Sequence, residues 1–105
     1  MVEVDDVDKF DLDKFSVNAR KLDIFSKGIN IEIFSVVERK FIYARVNERG
    51  VGETDACGSG ALALFTYLRE INKVDDDAVV LYPGGELELS YEKEKLYLKG
   101  EVTYL

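Results

Sequence analysis

Glu48-Arg49-Gly50-Val51-Gly52-Glu53-Thr54-Asp55-Ala56-Cys57-Gly58-Ser59-Gly60-Ala61-Leu62-Ala63 decides how the rest of the chain is read. It holds the one cysteine and four of the eight glycines. Glycines this dense mark a backbone that takes positive φ or comes close to another group. The run that follows, Ala61 to Leu68, is apolar nearly all round and predicts a buried helix that opens near Gly58 or Ser59. Cys57 thus stands where a glycine-rich loop turns into a helix. Unpaired N–H groups and the positive end of the helix dipole gather there, which favours anions and favours a thiolate over a thiol. Two readings follow: a nucleophile or acid/base, or a small buried hydrophobe, which is how most free cysteines behave.

Composition narrows the rest. The chain has 105 residues, enough for one domain with a modest core, and its 47% apolar content is that of a folded globular protein. A net charge of −7 with no Lys/Arg cluster argues against a nucleic-acid partner. One cysteine excludes an internal disulfide and fits a reducing cytoplasm. The acidic N-terminus does not read as a signal peptide, and no apolar stretch approaches membrane-spanning length. With no histidine and a single cysteine the expected metal complement is none; no calcium-loop spacing is visible either.

Working outward, Met1 to Val7 alternates loosely as a short edge strand, and Asp5, Asp6 and Asp8 read as a solvated turn. Asp11 caps a surface helix whose stripe is Leu12, Phe15, Ala19 and Leu22. Ile29 to Val37 is a strand with its isoleucines on one face and Asn30, Glu32 and Phe34 on the other. A connection at Glu38-Arg39-Lys40 leads into a strand from Phe41 to Glu48, which delivers Glu48 and Arg49 to the cysteine loop. Such an adjacent charge pair reads either as solvated or as a substrate contact. The central helix is expected from about Ser59 to Ile71, and Asp75-Asp76-Asp77 as a solvated acidic turn. A short strand, Val79 to Tyr82, ends at Pro83-Gly84-Gly85. Last comes a hairpin, Glu86 to Glu92 and Lys95 to Leu105, turning at Lys93-Glu94 with Leu87, Leu89, Leu96 and Leu98 inward. The sum is an α+β fold with a mostly antiparallel sheet and one helix buried against it.

The central block resembles the signature of the diaminopimelate epimerase family around its second catalytic cysteine. Val4 to Asp8, Phe25 to Ile33, Pro83 to Leu87 and Leu96 to Glu101 are similar to that family's C-terminal half, in the same order, so the likeness spans residues 1–105 as a single domain. It implies a curved, mostly antiparallel sheet wrapped around a central helix. It also implies cofactor-independent epimerisation of LL-diaminopimelate to meso-diaminopimelate, in lysine and peptidoglycan precursor biosynthesis, with one cysteine taking the α-proton and another returning it to the opposite face.

Carried onto this sequence, Cys57 matches the catalytic thiol, and Gly58 and Ser59 the positions whose amides hold the substrate carboxylate. Asn30 and Arg49 match contacts to the far end of the substrate, and Glu48 a substrate contact that also tunes the cysteine. Asn47 and Leu62 depart from the family, in place of an aromatic and a common second cysteine. Members of the family carry one cysteine in each of two halves, and only the second half is present here. The resemblance therefore implies a partner, the N-terminal half, without which the chain alone is inactive. The expected ligand is a small amino acid; nucleic acid and membrane are not expected, and a homodimer is a further possibility. Two alternatives stand beside this: the half of a related amino-acid racemase with another substrate, and an inactive lone binding or self-association domain.

Overall fold

A computed structural model describes residues 1–21, 30–48 and 50–103. Its elements run β1 (Val2–Glu3), α1 (Leu12–Arg20), β2 (Ile31–Glu38), β3 (Phe41–Glu48), β4 (Gly52–Thr54), α2 (Gly58–Glu70), β5 (Asp77–Tyr82), β6 (Gly85–Glu92) and β7 (Lys95–Thr103). Among the described residues the strands form one mixed sheet in the order β1-β2-β3-β5-β6-β7, with β4 paired to β3 off that path. The pairs β2–β3, β3–β4, β5–β6 and β6–β7 are antiparallel, as expected of most of the sheet. The pairs β1–β2 and β3–β5 are parallel. A parallel pair needs a long crossover, and β4 and α2 occupy the one between β3 and β5.

The sheet has helices on both faces because β2 is apolar on both. Phe34 joins Ile42, Ala44 and Val46 of β3 in the core that Ala61, Leu64, Phe65 and Leu68 of α2 complete. Ile31 and Ile33 point the other way, into a smaller cluster with Val7 and Leu12. Period-2 alternation sends successive side chains to opposite faces, so a strand buried twice reads as a continuous apolar run.

Asp11 caps α1 as predicted, accepting from Lys14 N–H at 3.1 Å. The expected stripe residue Leu22 lies outside the described residues. The helix α2 buries one face and leaves Tyr67 47% exposed on the other, although its sequence is apolar nearly all round. A single sheet face covers only one side of a helix.

Two expectations change. Leu96 and Leu98 are 40% and 48% exposed rather than inward. They pair with Tyr91 and Leu89 on the α2 side of the sheet, but β7 is the outer strand and the helix covers that margin incompletely. Asp75, Asp76 and Asp77 are not merely solvated. Asp75 accepts from Arg39 Nε at 2.6 Å, Asp76 from Arg69 Nε at 2.8 Å and Asp77 from Lys40 Nζ at 2.8 Å. These ion pairs fasten the entry of β5 to the β2–β3 turn and to the end of α2.

Candidate active site at the entrance of α2

Cys57 is the N-cap of α2. Its backbone is extended (φ −145°, ψ 107°), and its Sγ accepts from the Gly60 N–H at 3.3 Å, as a capping side chain does. The thiol is partly exposed and lies 3.4 Å from Ser59 Oγ. The Cys57 carbonyl oxygen accepts from the Ala61 N–H at 2.9 Å. Gly60 and Ala61 thus spend their amides on the cap, while Gly58 and Ser59, at the first two helical positions, have no intrahelical acceptor. Their N–H groups face the region where an anion is favoured.

The sequence predicts Cys57, Gly58 and Ser59 at one helix entrance, and the fold brings them together there. Glu48 ends β3, one hairpin away. Its Oε1 accepts from Thr54 Oγ1 at 3.0 Å, across the tight turn in which Gly50 and Gly52 take φ of +77° and +98°. That hairpin makes β4, a strand the sequence reading left within the glycine loop. Among the described residues Glu48 makes no hydrogen bond to Cys57. Asn30 is exposed at the entry to β2. Arg49 lies outside the described residues.

The end of β3 is held from the other face of the sheet. Buried Asn47 accepts from Arg20 Nη1 at 2.6 Å through Oδ1, and its backbone oxygen accepts from Arg20 Nη2 at 3.1 Å. Asn47 Nδ2 donates to Asp13 at 3.2 Å. Asn47, one of the two expected departures from the family pattern, thus ties α1 to the strand leading into Glu48.

Two residues beneath the entrance escaped the sequence reading. Glu32 is 5% exposed on the α2 face of β2, and the Tyr82 hydroxyl at the end of β5 donates to its Oε1 at 2.5 Å. The same hydroxyl lies 3.3 Å from the Cys57 carbonyl oxygen. Burial raises the Glu32 carboxyl above the ordinary range, while the bond from Tyr82 and the N-terminal ammonium act against that rise. Tyr82 is pushed strongly upward, by burial first and by the Glu32 charge second, so it stays a neutral donor. The signals were a glutamate between two isoleucines and a tyrosine closing a strand at the single proline. Neither announces the other from fifty residues away.

Among the described residues no group of three His, Cys, Asp or Glu side chains is placed to hold a metal ion, and no helix is long and apolar enough to cross a membrane.

Fold and site together define an α+β domain that presents a cysteine at an anion-favouring helix entrance. The chain belongs to the diaminopimelate epimerase family, whose sequence model matches residues 1–105. A diaminopimelate epimerase of Xanthomonas euvesicatoria pv. vesicatoria is 34% identical over all of this chain and 38% of its own length. One from Clostridium perfringens is 32% identical over 81% of this chain and 31% of its own. The chain therefore spans about a third of the length of these relatives, and it matches their C-terminal half. Among solved structures it is similar to a phenazine biosynthesis protein of the PhzF family from Bacillus anthracis. The TM-score is 0.61 at 19% identity, over 91% of this chain and 32% of that one. That likeness concerns the fold.

Proposed function

We propose that this chain is the C-terminal catalytic half of a diaminopimelate epimerase, converting LL- to meso-diaminopimelate with no cofactor and no metal. The observation that carries the reading is Cys57 as the N-cap of α2, with the amides of Gly58 and Ser59 beside it, which find no acceptor among the described residues, in a chain that matches the family over its full length. The substrate's α-carboxylate sits against those amides. The Cys57 thiolate takes the α-proton, or its thiol returns one, and the electron pair left at the α-carbon spreads into the carboxylate. Charge grows where donors are already aimed, the arrangement that lowers such barriers most. Asn30, Glu48 and Arg49 contact the remainder of the substrate, and Glu48 also acts on Cys57.

Inversion needs a base on one face of the α-carbon and an acid on the other, and one thiol cannot stand on both. The second cysteine comes from the N-terminal half of the enzyme, a distinct partner segment. Its docking covers the apolar margin at Leu96 and Leu98, which borders Gly58: a Cβ there would lie 3.5 Å from Leu98 Cδ2. The setting is cytoplasmic synthesis of lysine and peptidoglycan precursors.

The test is to mix the chain with an N-terminal half from a family member and follow the optical composition of diaminopimelate, with Cys57→Ala as control. Epimerisation that requires both pieces and Cys57 is the expected result. Epimerisation by the lone chain, or none from any pairing that forms a complex, overturns the proposal.

A further inference from the structure

The pair behind Cys57 does more than fill the core. Glu32 Oε2 stands 2.9 Å, and Cys57 Sγ 3.3 Å, from the point where a Cβ on Gly60 would lie, so the two atoms are at most about 6 Å apart. Only a glycine leaves the carboxylate this close to the first turn of α2. The opposite oxygen of Glu32 is held by Tyr82, and the one hydroxyl hydrogen of Tyr82 is shared with the Cys57 carbonyl. Three separate chain segments, β2, β5 and the cap of α2, thus meet at one phenol. Among the described residues, the other groups near Glu32 are these. Cys57 lies at the cap of α2, Tyr82 on β5 and the Met1 ammonium at the start of β1, while its cross-strand neighbour on β3, Val46, is uncharged.

We infer that Glu32 and Tyr82 are positioning residues for Cys57: the phenol fixes the cap that carries the thiol, and the carboxylate beneath it opposes the helix field that favours the thiolate. A buried carboxylate is costly to keep without a counter-charge, and here its one strong partner also grips the backbone of the reactive residue. A negative charge this close to Sγ opposes the build-up of a second negative charge there, against the helix end that favours it. A thiol that must both give and take a proton is served by such opposition, since neither form is then strongly favoured. The inference rests on the acid/base reading of Cys57 only for its consequence in turnover. The arrangement can be tested without any substrate.

The experiment measures alkylation of Cys57 by iodoacetamide against pH in the full chain, with folding of each variant checked by circular dichroism. Glu32→Gln keeps an acceptor for Tyr82 and removes the charge. It is expected to move the midpoint of the rate profile down by about one pH unit. Tyr82→Phe removes a single oxygen and releases the Cys57 carbonyl. Its limiting rate is expected to differ from wild type by about threefold to tenfold, and this variant carries the test if Glu32→Gln does not fold. A merely structural pair would lower the melting temperature and leave both readings unchanged. A wild-type profile in Glu32→Gln, with a wild-type limiting rate in Tyr82→Phe, overturns the inference. If the shifts are present and reconstitution with an N-terminal half fails, the positioning role stands and the epimerase reading falls.

Discussion

Gly84 packs directly against Asp55. Its N–H donates to the Asp55 carbonyl oxygen at 3.0 Å, and a Cβ built on it would stand 2.3 Å from the Asp55 Cβ. This contact joins the turn after β5 to the segment entering α2, two residues before Cys57. The room a side chain would need is taken by near-backbone atoms, which cannot swing aside as a flexible side-chain tip can.

Gly84→Ala should therefore displace Asp55 and the cap behind it. We expect a loss on the order of 2 kcal/mol in urea unfolding, together with an altered rate of Cys57 alkylation. A variant as stable as wild type with unchanged alkylation would show that the loop absorbs the methyl freely.

Cys57 caps α2 and, in the proposed reaction, carries the acid/base thiol, and substitution separates the two. Ala removes the acceptor for the Gly60 N–H and should cost about 1 kcal/mol, whereas Ser is a favoured cap and should leave stability near wild type. Both abolish alkylation, and both should abolish turnover in the reconstituted enzyme. Thermal unfolding of the two variants, measured side by side, checks the difference.

Glu32 makes stability depend on pH. Burial raises its carboxyl in the folded state above the ordinary value of 4.5. The native chain therefore holds the proton more tightly than the unfolded one. The associated stabilisation is full below the unfolded value and is lost as pH rises through the folded value. Glu32→Gln, which has no proton to lose, should gain stability relative to wild type as pH rises above 4.5. Parallel urea titrations below 4.5 and at neutral pH decide it; a constant difference would assign the effect to packing.

The β6–β7 turn stores relievable strain. Lys93 and Glu94 take φ of +51° and +65°, a left-handed pair in a two-residue hairpin that suits Asn-Gly. Lys93→Asn with Glu94→Gly should raise stability by about 1 kcal/mol. An unchanged or lower melting temperature would mean that glycine's greater freedom in the unfolded chain offsets the relief.

Much of this protein was legible from neighbouring residues alone. The cap at Asp11, the strand from Phe41 to Glu48, the helix opening at Gly58 and the turn at Lys93-Glu94 follow from propensity, periodicity and glycine placement within a few residues. So did the grouping of Cys57, Gly58 and Ser59, because a helix entrance is made locally. Tertiary structure alone decided the rest. The phenol of Tyr82 reaches Glu32 because β5 and β2 flank the same helix, a relationship set by sheet order. Leu96 and Leu98 alternate like core residues yet are exposed, because strand position within the sheet, and not period, determines what a helix can cover. The acidic run at Asp75 to Asp77 reads as solvated until the β2–β3 turn brings Arg39 and Lys40 to it. Local chemistry is written in adjacent residues, whereas burial and long-range pairing depend on where distant segments come to lie.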